Sequence, residues 1–231
     1  YLTGERRFQE VALEGLESML AMSAFSDFSN PVPHRERANL IFAYIEAYRY
    51  TGETRWRDQL RSIVGETADL SGKDWLSDPL GYRLDEEWRS SFSLAQVLWA
   101  MGRYLDFCAE YGVADDLGVA SAFTAYGDFI IDHLTTEYRP GRAAARSSYW
   151  FFAPGYDVYL EINNWALTMA DALAYAYRYT GATRFLDLAA MYYATGTIDP
   201  QWEDDAPVYI DSKGLVNALN WGLVYMRESA E

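Results

Sequence analysis

The sequence is short of positive charge and almost without lysine. It carries 19 basic and 34 acidic residues in 231, for a formal net charge of −15. Only Lys73 and Lys213 are lysines, and the other basic residues are arginines. Because nucleic-acid phosphates are met by a basic surface, this balance argues against a nucleic-acid partner. The negative net charge also disfavours a polyanionic substrate. Such a substrate would need a local group of arginines to bind it.

Cysteine and the common cofactor motifs are nearly absent too. Cys108 is the sole cysteine, which excludes an internal disulfide and any metal site built from paired cysteines. Its helical spacing with Leu105 and Phe107 predicts a thiol in the core. The chain has no Gly-rich dinucleotide fingerprint, no phosphate loop, no nucleophile elbow and no His-Glu-x-x-His, so we expect neither a nucleotide cofactor nor a zinc centre.

Long apolar runs are missing as well. No stretch approaches the roughly 20 residues of a membrane-spanning helix, and no basic segment followed by an apolar one opens the chain. We therefore expect no membrane association. Half of the residues are hydrophobic and 16% are aromatic, which suffices for one large core. The composition predicts a single globular domain over residues 1–231.

One short motif recurs along the chain. Arg178-Tyr-Thr-Gly-Ala-Thr-Arg-Phe-Leu-Asp187 has a close copy in Arg49-Tyr-Thr-Gly-Glu-Thr-Arg-Trp-Arg-Asp58 and another in residues 1–10, and a weaker copy occupies residues 110–117. Each copy reads as the end of one helix, a glycine in the left-handed conformation, and the start of the next helix. The repeated unit is a helix hairpin.

Apolar spacing predicts eight helices around these turns. Amphipathic helices, each with one wet face, are predicted at 5–24, 53–68, 114–136 and 182–196. Helices that are apolar over a larger part of their surface are predicted at 36–50, 90–110, 161–179 and 212–228. The turns from an apolar to an amphipathic helix are short, whereas the connections back, 23–33, 69–87 and 137–157, are long and polar or aromatic. This alternation indicates an inner ring inside an outer ring, with a site at the long-loop end.

The repeat resembles a known superfamily at the level of the fold. The motif at 178–190, preceded by Asn164-Trp-Ala-Leu-Thr-Met-Ala-Asp-Ala-Leu-Ala-Tyr-Ala-Tyr177, is similar to the hairpins of the six-hairpin glycosidase and α/α-toroid polysaccharide lyase superfamily. The resemblance implies an all-α toroid or partial toroid of about four helix hairpins acting on an oligo- or polysaccharide. Members of this superfamily have more hairpins, so we expect further hairpins before Tyr1 in a longer natural protein.

In such a ring, the residues around the first turns of the inner helices face one cavity. Cleavage of a glycosidic bond needs two carboxylates, one acting as acid and the other as base or nucleophile. The expected catalytic carboxylates are Glu86, Glu87, Asp157 and Glu161. The expected substrate-binding residues are His34, Arg35, Arg89, Tyr149, Trp150, Tyr159, Asn164 and Trp165. For each acid in a first turn, stabilisation of the helix dipole alone is the competing interpretation.

The aromatic cluster Tyr149-Trp-Phe-Phe-Ala-Pro-Gly-Tyr156 lies outside any helical period. It predicts either a stacking platform over the cavity or a hydrophobic plug on the ring. Arg142 and Arg146 nearby suit a uronate carboxylate, so a polysaccharide lyase stays as an alternative. A non-catalytic helical-repeat scaffold or glycan-binding subunit is the third interpretation. The acidic composition favours a glycoside hydrolase that acts on a neutral sugar.

Overall fold

The computed structural model describes residues 6–21, 35–77, 89–137, 145–147, 150–151, 166–198 and 222–230. Its α-helices are α1 Arg6–Leu20, α2 Arg35–Thr51, α3 Thr54–Ala68, α4 Ser91–Tyr111, α5 Val119–Phe129, α6 Ala166–Thr180, α7 Thr183–Ile198 and α8 Leu223–Glu228. A short 3₁₀ turn covers Asp74–Leu76, and a π turn, Ile130–Leu134, extends α5. The predicted all-α class is confirmed.

Four strands of two or three residues accompany the helices. They are β1 Arg89–Ser90, β2 Thr135–Glu137, β3 Ala145–Ser147 and β4 Trp150–Phe151. β1 pairs with β4 and β2 pairs with β3, both antiparallel. These ladders lie in the long connections and leave the helical architecture unchanged.

The helices form two layers in an open arc. In the inner layer α2 packs on α4, α4 on α6 and α6 on α8. In the outer layer α3 contacts α5, and each of α3, α5 and α7 packs on the inner helix that precedes it in the chain. α6 is buried at every residue from Ala166 to Ala176, because α4, α5, α7 and α8 all pack on it. The architecture is a partial α/α toroid of helix hairpins.

The repeat motif forms the tight turns between the layers. Gly52, Gly112 and Gly181 follow α2, α4 and α6 with φ of 69°, 65° and 70°, in the left-handed region that glycine enters without strain. The threonine before the glycine adds two bonds. Thr180 Oγ1 donates to the Ala176 carbonyl at 2.6 Å and accepts the Ala182 N–H at 3.2 Å, and Thr51 does the same in its own turn.

The arginines of the motif join neighbouring hairpins. Arg49 at the end of α2 forms an ion pair with Glu110 of α4, and Arg178 at the end of α6 pairs with Glu228 of α8. The arginine at the start of an outer helix instead reaches the outer helix before it. Arg55 of α3 binds Glu17 of α1 at 2.8 Å, as Arg184 of α7 binds Asp128 of α5 at 2.8 Å.

The predicted helix over 114–136 begins too early and ends too late. α5 starts at Val119 because the Asp115 carboxylate accepts the N–H groups of Leu117 and Ala120, and because Gly118 takes φ of 71°. Past the π turn the chain becomes β2, whose Thr136 lies opposite Arg146 of β3. The helix is therefore shorter than apolar spacing predicts, because side-chain capping sets its start and strand pairing sets its end.

Candidate functional site

Most of the residues predicted to form the site lie outside the described part of the chain. These are Glu86, Glu87, Asp157, Glu161, His34, Tyr149, Tyr159, Asn164 and Trp165. Of the remaining three, Arg35 is described with its side chain, and Arg89 and Trp150 are described by their backbone.

Arg89 and Trp150 lie on paired strands at the N-terminal end of α4. In the β1–β4 ladder Arg89 is opposite Phe151 and Ser90 is opposite Trp150. β1 leads directly into α4, where the hydroxyl oxygens of Ser90 and Ser93 are 2.9 Å apart. The ladder therefore joins the connection that precedes α4 to the one that precedes α6, at the same end of the inner layer.

Arg35 is the first residue of α2, at the corresponding end of its helix. Its side chain is exposed, and its Nε donates to Glu36 Oε1 at 3.2 Å. Glu36 is the acidic residue of the first turn of α2, which matches the stabilising position of a carboxylate in the helix dipole. The pair thus presents one cation and one anion beside the inner layer.

One face of α4 is only partly buried in the part of the chain that the structure describes. Its part-exposed residues, Gln96, Trp99, Arg103 and Asp106, recur at spacings of three and four and lie on one line. α2 and α6 flank α4 while α5 packs behind it, so this line points away from the outer layer. A parallel line on α2 carries Asn39 and Phe42. We call Asn39, Phe42, Gln96, Trp99 and Arg103 the open inner face.

An aromatic pair lies in the middle of the open inner face. The rings of Phe42 and Trp99 meet edge to face, with centroids 4.7 Å apart and planes at 65°. Both residues are only partly buried. Edge-to-face packing fixes the orientation of the two rings, which provides a rigid apolar platform.

Gln96 lies one turn before Trp99 and presents an unsatisfied acceptor. Its Oε1 is buried and has no hydrogen-bond partner within the part of the chain that the structure describes. A buried polar atom left unpaired costs on the order of 1 to 3 kcal/mol, so such atoms need an explanation.

Arg103 lies one turn after Trp99 and differs from the other arginines. Among the arginine side chains that the structure describes, the others have a carboxylate or a hydroxyl as a partner, as in the Arg178–Asp106 pair at 2.9 Å. Arg103 has no carboxylate within salt-bridge distance in the described residues, although it is only partly exposed. Among the described residues, its positive charge therefore has no carboxylate partner beside the aromatic pair.

Asp171 of α6 is the described carboxyl group with the most perturbed protonation. Burial raises its pKa to about 6, although the backbone N–H groups that it accepts act in the opposite direction. Those donors are Val224 at 3.0 Å and Tyr225 at 3.1 Å, at the start of α8. Its oxygen is engaged by the backbone, so Asp171 anchors α8 and is not assigned to the site.

A groove of a different character lies between α1 and α2. It encloses a cavity of about 140 Å³ with almost wholly apolar walls. The lining residues are Gln9, Ala12, Leu13, Leu16, Ala43, Glu46, Ala47 and Tyr50. It follows the C-terminal half of α2, away from the helix N-termini where the long connections meet.

The open inner face was not predicted from the sequence. Phe42 and Trp99 occur within apolar helices, where the sequence pattern predicts core residues. Their immediate neighbours in the sequence do not distinguish a core residue from one on the open inner face. The one available signal was the spacing of Gln96, Trp99 and Arg103, which places two polar side chains and an aromatic ring on one line of an otherwise apolar helix.

Two further searches bear on the class of protein. Within the described residues no group of three or more His, Cys, Asp or Glu side chains is placed to hold a metal ion. None of the described helices is both long enough and apolar enough to cross a membrane. Comparison with protein-family models, with curated proteins and with solved structures finds no match for this chain.

Proposed function

We propose that this protein binds a glycan along the open inner face and hydrolyses it with a carboxylate pair carried by the two long connections. The observation that carries the proposal is the Phe42–Trp99 pair, on a partly buried face and beside a buried oxygen of Gln96 that has no hydrogen-bond partner among the described residues. Aromatic surfaces bind the C–H faces of sugar rings, and amide oxygens accept bonds from sugar hydroxyls. The two features occur together one helical turn apart.

Glu86 or Glu87 is the proposed partner of Asp157 or Glu161. Glu87 precedes the first residue of β1 by two positions, and Asp157 follows the last residue of β4 by six. Because β1 and β4 are paired, both acids are tied by short stretches of chain to the N-terminal end of α4. The separation of the two carboxyl groups decides between inversion and retention of configuration at the sugar.

A polysaccharide lyase is the second candidate, and Arg103 is the observation that favours it. A guanidinium that has no carboxylate partner among the described residues suits the carboxylate of a uronate, with which it would form a charge-assisted pair. In this version Arg103 holds the acidic sugar, and the arginines predicted in the connection before α6 supply further charge. A non-catalytic glycan-binding subunit uses the same face without the carboxylates.

The binding part of the proposal is tested by calorimetric titration of neutral and uronate-containing oligosaccharides. We expect Trp99→Ala and Gln96→Ala each to weaken binding by about tenfold or more, because each removes a direct contact. Tyr50→Ala, which truncates an exposed aromatic residue in the α1–α2 groove, is the matched control and keeps the wild-type affinity. Equal losses in all three variants, or none, would contradict a site on the open inner face.

Arg103→Gln separates the two candidate functions. If the wild type binds uronate-containing ligands and Arg103→Gln loses affinity for these ligands alone, the lyase is supported. If the wild type binds no uronate-containing ligand and Arg103→Gln binds neutral ligands as the wild type does, the hydrolase is supported. The substitution keeps a side chain of similar length on a partly exposed position, so folding is expected to be unaffected.

A further inference from the structure

A short segment of the chain joins the outer layer to the inner layer at the end where the long connections meet. β3 lies against α7 and α6 and pairs with β2, whereas β4 pairs with β1, which leads into α4. Residues 148 and 149 alone separate the two strands. Because an extended chain advances by at most about 3.6 Å per residue, the distance from Ala145 to Trp150 is at most about 18 Å. We call residues 145–151 the strap.

The outer end of the strap is bound by one side chain of α7. Thr195 Oγ1 accepts the N–H of Ala145 at 3.1 Å and lies 2.8 Å from the Ala145 carbonyl oxygen, to which it donates. Both residues are fully buried. Buried backbone groups need hydrogen-bond partners, so the hydroxyl of Thr195 supplies a partner to both polar groups of Ala145.

Thr195 differs in this respect from other threonines of the same fold. A helical threonine commonly donates to the carbonyl four residues earlier, as Thr197 does to Tyr193 at 2.7 Å. Thr195 is also near the corresponding carbonyl, that of Met191, but at the longer distance of 3.1 Å. Its shorter contact is the one to Ala145, 50 residues away in the sequence. The hydroxyl of Thr195 therefore joins two elements.

A second residue on the same side of α7 binds the partner strand of β3. The hydroxyl oxygens of Tyr192 and Thr135 are 3.0 Å apart, and Thr135 Oγ1 also donates to the Ile130 carbonyl at 2.8 Å. Tyr192 and Thr195 are three residues apart and thus lie on one face of the helix. α7 consequently holds both strands of the β2–β3 ladder.

The part of α7 that carries Thr195 is itself packed closely on α6. A Cβ at Gly196 would lie 2.6 Å from Cγ of Leu167, near the start of α6. Contact this close is possible only because Gly196 has no side chain. The attachment point of the strap is therefore fixed to the start of an inner helix.

The inner end of the strap lies beside the proposed site. Ser90 is opposite Trp150 in the β1–β4 ladder, directly before α4. Asp157, one of the proposed acids, follows the last residue of β4 by six positions. A displacement of the outer end is passed along the strap, because only a few residues separate its two attachments.

We propose that Thr195 is a positioning residue for the proposed glycan site, although it belongs to an outer helix and does not touch the open inner face. Its hydroxyl fixes β3 on α7, and the strap then fixes the place from which the chain continues to Asp157. This inference rests on the proposed function. Displacing a reacting group by about 1 Å can lower turnover by a factor of about 100, so such an attachment has a measurable effect.

The experiment compares Thr195→Val, Thr195→Ser and Thr197→Val by amide hydrogen exchange. Thr195→Val removes the hydroxyl and Thr195→Ser keeps it, whereas Thr197→Val removes a hydroxyl that bonds its own helix. We expect the Ala145 amide to exchange at least about tenfold faster in Thr195→Val, because its buried N–H loses its acceptor. The amides of α4 and α6 are expected to keep their protection, which verifies that the variant folds.

Glycan binding and turnover of the same variants test the positioning role. We expect Thr195→Val to lower kcat by at least about tenfold. The affinity should stay at the wild-type level, because the Phe42–Trp99 pair lies on α2 and α4. Thr195→Ser should restore both kcat and the protection of Ala145, and Thr197→Val should match the wild type. A general loss of stability would not separate kcat from affinity in this way.

Three results would overturn the proposal, and each is distinct. Unchanged exchange at Ala145 in Thr195→Val would show that Thr195 does not hold β3. Faster exchange with unchanged kcat would show that the strap is attached there without positioning the site, while the proposed function stands. A wild type that neither binds nor cleaves a glycan would contradict the proposed function, and Thr195 would then have no such site to position.

Discussion

Asp106 is the residue at which α4 and α6 are most densely linked. Its carboxylate accepts bonds from the Tyr175 hydroxyl at 2.8 Å, the Tyr179 hydroxyl at 2.7 Å and Arg178 at 2.9 Å. Arg178 also stacks over the Tyr175 ring, with its guanidinium carbon 4.8 Å from the centroid. The two tyrosine hydroxyls are partly buried and lose their acceptor without Asp106, whereas Arg178 keeps its pair with Glu228.

We expect Asp106→Ala to lower the free energy of unfolding by about 2 to 4 kcal/mol, since it leaves two part-buried tyrosine hydroxyls without their acceptor and removes one of the two carboxylate partners of Arg178. Urea denaturation followed by circular dichroism measures the change. Asp58→Ala is the matched control, because Asp58 is an exposed residue of α3 that pairs only with its neighbour Arg57, and it should change stability little. Similar effects for the two variants would show that the Asp106 cluster contributes nothing beyond a surface ion pair.

Asp171 provides a pH-dependent prediction. Its folded pKa, raised to about 6, exceeds its ordinary value of 3.8, so the native state holds a proton between these values that the unfolded state has released. Its contribution to stability therefore falls as pH rises from about 4 to above 6, by about 3 kcal/mol over the window. Asp171→Asn keeps an oxygen acceptor for Val224 and Tyr225 but removes the titration.

The measurement is the difference in unfolding free energy between wild type and Asp171→Asn at several pH values. Other groups titrate in both proteins and cancel in the difference. We expect the wild type to lose stability relative to the variant as pH increases through this window. Parallel pH profiles for the two proteins would rule out a protonated Asp171 in the folded state.

At the scale of the element, the helix hairpins follow from turn chemistry that is visible in the sequence. The Thr-Gly pairs at 51–52 and 180–181 predict the left-handed turns, and the helix limits beside them agree within one residue: the ends of α2 and α6 and the starts of α3 and α7. The predicted start of α5 was wrong because it was taken from apolar spacing alone. The hydrogen bonds that the Asp115 carboxylate accepts depend on the local fold, which apolar spacing does not reveal.

The open inner face illustrates a different limit of sequence reasoning. α4 is apolar on several sides, and which of its stripes stays uncovered depends on how α2, α5 and α6 pack around it. Periodicity places Trp99 on a line with Gln96 and Arg103 but does not say that this line is only partly buried. The predicted carboxylates, by contrast, depend on the long connections, and their roles stay predictions.

Close approach of α4 and α6 depends on Gly102. A Cβ at this position would lie 2.3 Å from Cγ of Tyr175, which is far inside van der Waals contact. We expect Gly102→Ala to lower the free energy of unfolding by about 1 to 3 kcal/mol, because the tyrosine ring must shift in a packed interface. Thermal and urea unfolding measure this cost.

Gly65→Ala in α3 is the control for Gly102→Ala. Its added Cβ would meet Leu117 Cδ2 at 3.8 Å, an ordinary contact. Alanine favours the helix over glycine by roughly 0.5 to 1 kcal/mol, so this variant should be as stable as the wild type or more stable. A neutral or stabilising effect at Gly102 as well would show that α4 and α6 are not held as closely as the structure places them.

At the scale of the whole molecule, the two-layer arc assigns different roles to its two ends. The short turns carry the glycines, threonines and arginines of the repeat, which are engaged in holding hairpins together. The other end receives the long connections, and β1 and β4 join them beside the open inner face. The residues that hold the hairpins together are thereby separated along the helix axes from the proposed site, an arrangement typical of sites on loops over a rigid scaffold.

The central claim is that this chain processes a glycan on the open inner face, and an activity screen tests it most directly. The purified chain is incubated with a panel of oligo- and polysaccharides, and both the release of reducing ends and the ultraviolet absorbance of unsaturated uronates are recorded. We expect reducing ends without that absorbance, abolished in Glu86→Gln, Glu87→Gln or Glu161→Gln and strongly reduced in Trp99→Ala. Absorbance of unsaturated uronates would indicate that the reaction is elimination, as in a lyase, and not hydrolysis. A folded protein that neither cleaves nor binds any glycan in the panel would contradict the account.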